Sequence, residues 1–233
     1  MRQILLDTET TGLDPKLGHR VIELAAVELA ARRFTGRRFH RYLNPQRESD
    51  AGALQVHGLT EEFLRDKPKF REIAAEFLDF VGGAELVIHN APFDVAFLNH
   101  ELALLDMQPI RHYCPQITDT LKLAKELHPG KRNNLDALCE RYQVNNSKRT
   151  LHGALLDAEL LGEVYLAMTR GQESLVMEGQ GNGAAIAEDI PLPAVTGELV
   201  VIPASAEELA AHARLLEEID KTSKGLCLWK HGM

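Results

Sequence analysis

The order in which apolar patterns follow one another is the strongest constraint on what this chain can fold into. Three strand-like runs come first, at residues 3–6, 21–31 and 39–43, the second also a fair helix sequence. The first run empties into a polar loop at Asp7 and Thr8, and Thr35-Gly36 marks a hairpin turn between the other two. From Phe70 the spacing becomes helical, with Ile73, Phe77, Phe80 and Val81 on one face until Gly82-Gly83 stops it. Residues 86–89 then form a core strand. Pro92 opens a helix whose apolar stripe is Phe93, Phe97, Leu98, Leu102 and Leu105, and further helices are predicted over 119–127, 134–142 and 153–169. Strands first, then helices alternating with strands, predict one α/β domain ending near residue 170.

Beyond that point the composition shifts. Residues 1–170 hold 22 basic and 24 acidic side chains (net −2), and residues 171–233 hold 4 and 10 (net −6), which together make the chain's −8. A bulk basic surface is therefore not what would draw nucleic acid to this protein. Residues 178–183, Glu-Gly-Gln-Gly-Asn-Gly, have the composition of a flexible linker. The tail then offers a short strand at 199–202 and a helix opening on Ser205-Ala206-Glu207-Glu208, with Leu209, Leu216 and Ile219 on one side and Trp229 near its end. Such a tail is too small to bury a core of its own, so it is expected to be disordered alone or docked on another surface.

No run approaches the roughly 18 consecutive apolar residues of a membrane span, and Asp7 interrupts the N-terminal apolar run too early for a signal peptide. A cytoplasmic protein with no membrane partner is the expectation. Cys114, Cys139 and Cys227 are odd in number and widely spaced, against a disulfide framework or a thiolate zinc site.

Acidic residues at element ends carry the chemistry. Asp7 and Glu9, two apart on a strand, point to one face, where they repel unless a cation lies between them. Hard ions such as Mg²⁺ or Mn²⁺ favour such oxygen donors. Asn90-Ala91-Pro92-Phe93-Asp94 places a carboxylate in a first helical turn directly after a core strand, where a capping role competes with a site role. Asp157 sits among Leu155, Leu156, Leu160 and Leu161, where an unpaired carboxylate is costly. If His152 were helical too, the five-residue step would leave it about 140° around the axis from Asp157, so both reach one site only with His152 on the preceding loop. Gly153 eases that conformation.

Taken together, Asp7-Thr8-Glu9-Thr10-Thr11-Gly12, Asn90-Ala91-Pro92-Phe93-Asp94 and His152 with Asp157 resemble the DEDD exonucleases in their histidine-bearing branch. Within that branch, Gln55-Val56-His57-Gly58-Leu59-Thr60, the segment 129–139 and the segment 146–158 are similar to the epsilon-subunit family of bacterial DNA polymerase III, the replicative proofreaders. The likeness is dense over residues 3–177 and resumes at Cys227-Leu228-Trp229.

The resemblance implies a ribonuclease-H-like fold, a central mixed sheet flanked by helices with a flexible C-terminal tail. It divides the chain into an exonuclease domain (1–170), a linker with a clamp-binding-like motif (171–204) and a polymerase-tethering tail (205–233). Asp7, Glu9, Asp94 and Asp157 would hold two divalent ions, Mg²⁺ or Mn²⁺, with His152 as general base. Val56 and His57 would join Asp7, Glu9 and Asp157 in contacting the terminal nucleotide of a single-stranded or frayed 3′ DNA end, although His57 also reads as a turn residue before Gly58. Epsilon-family members carry an acid where this chain has Gly52. Lys148 and Arg149 could meet backbone phosphates or remain solvated.

Gln172 and Leu175 resemble a degenerate sliding-clamp motif lacking its aromatic ending, and a plain linker is the competing reading. Trp229 resembles an anchor on the polymerase III alpha subunit, and a further small core subunit is left open. Two alternatives stand beside proofreading: an RNase T-like or oligoribonuclease-like RNA exonuclease, and a non-catalytic adaptor between clamp and polymerase. An adaptor would not need four carboxylates and a histidine together.

Overall fold

The computed structural model describes residues 2–147, 149, 151–170, 203–223 and 229. The expected strand at 199–202, the linker with Gln172 and Leu175, Lys148 and Cys227 lie outside the described residues. The described residues form a five-stranded sheet of β1 (Arg2–Thr10), β2 (Val21–Ala30), β3 (Arg33–Tyr42), β4 (Glu85–Ile88) and β5 (Ile117–Asp119), in the order β3-β2-β1-β4-β5. β2 pairs antiparallel with β1 and β3, whereas β1–β4 and β4–β5 are parallel, so the sheet is mixed.

Ile4, Leu5 and Leu6 are consecutive and all fully buried, which a strand permits only when both faces of its sheet are covered. Alternation then sorts residues into two cores. Ile4, Leu6, Leu24, Ala26, Leu86 and Ile88 pack with Phe77 of α3 (Phe70–Val81) and with Phe97, Leu98 and Leu102 of α4 (Ala91–Ala103). Leu5, Ala25, Val27, Leu29 and Val87 pack with Ala124 of α6 (Thr120–Leu127), Leu138 of α7 (Leu135–Tyr142) and Leu161 of α8 (Ala154–Met168). Each fully buried Leu or Phe contributes about 1.5–3 kcal/mol. The predicted helices over 70–81, 119–127, 134–142 and 153–169 therefore match observed elements within a residue or two.

Three local expectations change. β1 does not empty into a loop at Asp7 and Thr8, because Asp7, Thr8 and Glu9 continue to pair with Ala25, Leu24 and Glu23 of β2, which keeps both carboxylates on the strand as their spacing predicts. The β2–β3 hairpin turns at Ala31-Arg32, both left-handed (φ 47° and 60°), a conformation more often given to Asn or Gly. Thr35-Gly36 lies inside β3, where Gly36 at φ 81° accompanies the shift of register between Val27 and Leu29, so this pair marks a bulge. The short helices α1 (Ala51–His57), α2 (Glu61–Leu64) and α5 (Ile110–Tyr113) were not anticipated.

The chain divides into two units, residues 1–179 and 180–233. In the second, α9 (Ala206–Thr222) starts from the expected capping box: the Ser205 hydroxyl accepts from Glu208 N at 3.2 Å and the Glu208 carboxylate accepts from Ser205 N at 2.8 Å. No α9 residue is buried, and Leu209, Leu215, Ile219 and Trp229 are exposed. No helix among the described residues is long and apolar enough to cross a membrane. Cys114 and Cys139 are buried free thiols.

Candidate active site

Parallel pairing of β1 with β4 brings their C-terminal ends to one edge of the sheet, the place where α/β sheets assemble sites. Asp7 and Glu9 share the parity of Leu5 and so project from the α8 side. There α8 supplies Asp157 from its first turn. Two residues beyond the end of β4, Asn90 caps α4 in a left-handed conformation (φ 66°), its N–H donating to Asp119 Oδ1 at 3.2 Å, and α4 presents Asp94 from its first turn. The Thr8 hydroxyl, on the opposite face from Asp7, donates to Asp94 Oδ1 at 2.7 Å. Asp7, Glu9, Asp94, His152 and Asp157 all line one cavity of about 320 Å³.

Burial and mutual repulsion dominate the electrostatics. Loss of solvent, then Asp94, Glu9, Asp157 and Glu23, hold the Asp7 carboxyl well above its ordinary range. Glu9 is pushed up to about 8 by burial first and then by Asp157, Glu23 and Asp94, against the lowering influence of Arg149. Asp94 rises to about 7, chiefly through burial, although its bond from Thr8 works the other way. A cluster in this condition releases free energy on binding a cation. Among the described residues, Glu9, His152 and Asp157 each bring a ligand atom within 4.8 Å of the other two. Carboxylate oxygens with one imidazole nitrogen suit a hard or borderline divalent ion, so the donors fit the metal that the acid spacing implied.

His152 lies ahead of α8, as the axial geometry required, with its backbone N–H donating to Val56 O at 3.1 Å. The left-handed freedom of glycine is not what allows this, since Gly153 is extended at φ −151°. His152 Nδ1 stands 3.5 Å from Asp157 Oδ2. Between them reaches Arg149: Nε donates to Asp157 Oδ1 at 2.6 Å, and Nη2 serves both Asp157 Oδ2 at 2.7 Å and His152 Nδ1 at 2.8 Å. Its Nη1 donates to the half-exposed Asp136 at 2.6 Å. The structure places Arg149, a candidate phosphate contact or solvated loop charge from the sequence, on a site carboxylate.

A second cavity, of about 470 Å³, shares Thr8, Glu9 and Phe93 with the first and adds Leu13, Gly52, Ala53, Val56 and His57. Its wall is largely apolar. His57 is buried in the last turn of α1, not in a turn, and Gly58 (φ 69°) follows it as the left-handed cap. His57 Nδ1 accepts from Leu59 N at 2.9 Å, which puts the ring proton on Nε2, and Nε2 has no hydrogen-bond partner among the described residues. Burial lowers the His57 pKa, so the ring is neutral near pH 7 and offers one unsatisfied N–H. A Cβ on Gly52, within α1, would meet nothing within 4 Å, leaving this wall open. Val56 is exposed at the same wall.

The structure thus brings Asp7, Glu9, Asp94, His152 and Asp157 together and puts Val56 and His57 beside them. Gln172 and Leu175 lie outside the described residues, and Trp229 belongs to the second unit. Sequence reasoning missed three contributors. Thr8 holds Asp94 and was legible as the residue between two acids. Glu23 stands opposite Glu9 in the β1–β2 register, a relation hidden until the register is known. Arg149 lies eight residues from Asp157 across a loop, a spacing with no local signature.

Comparison with known proteins agrees with this geometry. The exonuclease family model (RNase T) matches residues 4–165. The DNA polymerase III subunit epsilon of Escherichia coli is 51% identical over 240 residues, spanning 98% of this chain and 97% of the relative. Among solved structures, exonuclease X in complex with 5′ overhanging duplex DNA superposes with a TM-score of 0.53 at 25% identity, covering 71% of this chain and 90% of that one. The nuclease domain of 3′hExo, a DEDDh family member bound to rAMP, does so at 0.62 and 17% identity, with 72% and 90% covered, a likeness of fold.

Proposed function

Since the chain belongs to the exonuclease family and, within it, to the epsilon subunits of bacterial DNA polymerase III, we propose that Asp7, Glu9, Asp94 and Asp157 hold two divalent ions and that His152 is the general base of its 3′-5′ exonuclease reaction. The enzyme is a 3′-5′ DNA exonuclease serving replicative proofreading. One observation carries the residue assignment: carboxylates from β1, α4 and α8 converge on a single cavity with a histidine, in a state of repulsion that cations relieve.

Mg²⁺ or Mn²⁺ bound there supplies Lewis acidity and charge neutralisation to an in-line phosphoryl displacement. The chain's own groups do the rest. Thr8 fixes the Asp94 carboxylate through its 2.7 Å bond. His152 Nδ1 is the ring nitrogen turned toward Asp157, and its lone pair is the group that accepts the proton of the attacking water. The terminal nucleotide occupies the neighbouring cavity, its base against Val56 and Phe93 and an acceptor of its sugar or base on His57 Nε2–H. Products are nucleoside 5′-monophosphates. A cavity that admits one unpaired nucleotide favours mispaired ends because they fray more readily, with no reading of sequence.

The partners follow the same reading. Exposed Trp229 and the apolar groups of α9 form the tether to the polymerase III alpha subunit, which keeps the exonuclease at high effective concentration near the primer end. Gln172 and Leu175 contact the sliding clamp, a further small core subunit can join, and the assembly works in the bacterial cytoplasm as part of the replisome.

The test is digestion of 3′-mismatched and fully paired primers, as DNA and as RNA, with Mg²⁺ or with chelator, resolved by product length. A metal-dependent ladder from the 3′ end, faster on mismatched DNA, is expected. Absence of shortening with any divalent ion would overturn the assignment, and strong RNA preference would overturn the proofreading role.

A further inference from the structure

Arg149 makes a contact that competes with the roles assigned to Asp157 and His152. Both oxygens of Asp157 accept from one guanidinium, through Nε at 2.6 Å and Nη2 at 2.7 Å, in the fork geometry that gives the strongest carboxylate pairing. The same Nη2 lies 2.8 Å from His152 Nδ1. A guanidinium only donates, so His152 must accept there, with its proton on Nε2 and its one lone pair engaged. The Arg149 and Asp157 side chains are only 6% and 5% exposed, which shields the pair from competing water. One cation thus engages a carboxylate assigned to metal and the lone pair of the assigned base.

We propose that Arg149 is a resident cation of the active site that exchanges with the divalent ion: metal binding displaces the guanidinium from Asp157, and the same movement frees His152 Nδ1 to act as base. The inference rests on the metal assignment made above. Asp136, which takes Nη1 at 2.6 Å and is itself steadied by Asn146 Nδ2 at 3.3 Å, keeps hold of the arginine at the cavity lip after release. Two charges of the same sign cannot share Asp157 at these distances without repulsion, whereas the substrate's phosphate, arriving with the metal, offers the released fork an equivalent bidentate partner. Arg149 is accordingly a positioning residue that couples metal occupancy to base activation.

The full chain, labelled with ¹⁵N, gives the test. Arginine Nε–H signals are recorded in chelator and through a Mg²⁺ titration, the Arg149 signal being identified by its loss in Arg149→Lys. In chelator the Arg149 signal should be slow to exchange with water, and it should shift or broaden with the same midpoint as the backbone amides of Asp7 and Asp94. If those amides respond and the Arg149 signal does not, the exchange is refuted while the metal site stands. If no amide of the site responds, the metal assignment itself fails and the exchange with it.

A second measurement is Mn²⁺ affinity by titration calorimetry. A competitor that occupies its site nine-tenths of the time weakens apparent binding roughly tenfold, so Arg149→Met should bind Mn²⁺ about ten times more tightly than the unaltered chain. Equal or weaker binding by a variant whose melting curve is still cooperative would overturn the proposal. Arg149→Lys, which retains charge and loses the fork, should fall between the two.

Discussion

Replacing Glu9 by glutamine should stabilise the metal-free protein at alkaline pH while ending its nuclease activity. The Glu9 carboxyl, 9% exposed, moves from an ordinary 4.5 to about 8 in the fold. Between those values the folded chain binds more protons than the unfolded one, so stability is fully present below pH about 4.5 and is lost as pH rises through about 8. At about 1.36 kcal/mol per unit, ionising Glu9 costs the folded state about 4 kcal/mol at pH 8. Glutamine keeps the shape, and its amide can donate to neighbouring carboxylates, so most of that cost should vanish. For a domain of this size the gain corresponds to a rise in Tm of roughly 5–15 °C at pH 8, and to little change near pH 4.5. The assay is thermal unfolding in chelator across that range, repeated with Mg²⁺, which should raise the Tm of the unaltered chain more than that of the variant. Parallel pH profiles for the two proteins, or a variant less stable at pH 8, would refute the electrostatic account of the site.

His152→Ala should lower turnover on a mismatched primer roughly 10²- to 10⁴-fold while leaving the melting curve nearly unchanged, and full activity would remove His152 from the mechanism. Arg20→Met should destabilise by about 3–5 kcal/mol, seen as a fall in denaturant midpoint, because it removes the cation from Glu101, which is 1% exposed and takes Arg20 Nε at 2.8 Å and Nη2 at 2.6 Å beside the Val21 N–H. A loss below about 1 kcal/mol would mean that this pair behaves as a surface one. Deleting residues 183–233 should preserve exonuclease activity and abolish co-migration with the polymerase subunit, and Trp229→Ala should weaken that association, since the residue is 76% exposed. Undiminished binding by the deletion would refute the tether.

What could be read in advance depended on whether a segment declares itself locally. α3 did, because Ile73, Phe77 and Val81 fall on one face and Gly82 follows, and α9 did through Ser205, whose hydroxyl accepts from Glu208 N three residues on. α1 did not: within Ala51–His57 only His57 is buried, so no apolar stripe marks the helix. The hairpin turn at Ala31-Arg32 carries residue types that do not advertise positive φ, while the glycine that does lies in a bulge. At the site, acids two apart on one strand were legible because strand parity is local. The pairing of Arg149 with Asp157 was not, because it depends on how a loop returns to the head of α8.

Strand parity also explains why fold and chemistry constrain each other here. The alternation that turns Leu5 toward α8 turns Asp7 and Glu9 toward Asp157 on the same helix, and the opposite parity turns Thr8 toward Asp94. Slipping β1 by one residue against β2 would expose the core positions Ile4, Leu5 and Leu6 to exchange of faces and would also carry both acids away from α8. Hydrophobic burial therefore sets the register, at a few kcal/mol per core residue, and the repelling carboxylates are held where they are by that burial rather than by any attraction of their own. It follows that the acids can be neutralised one at a time without loss of the fold, whereas an alteration at Leu5 or Leu161 that loosens the β1–α8 contact should relax the site before it unfolds the protein.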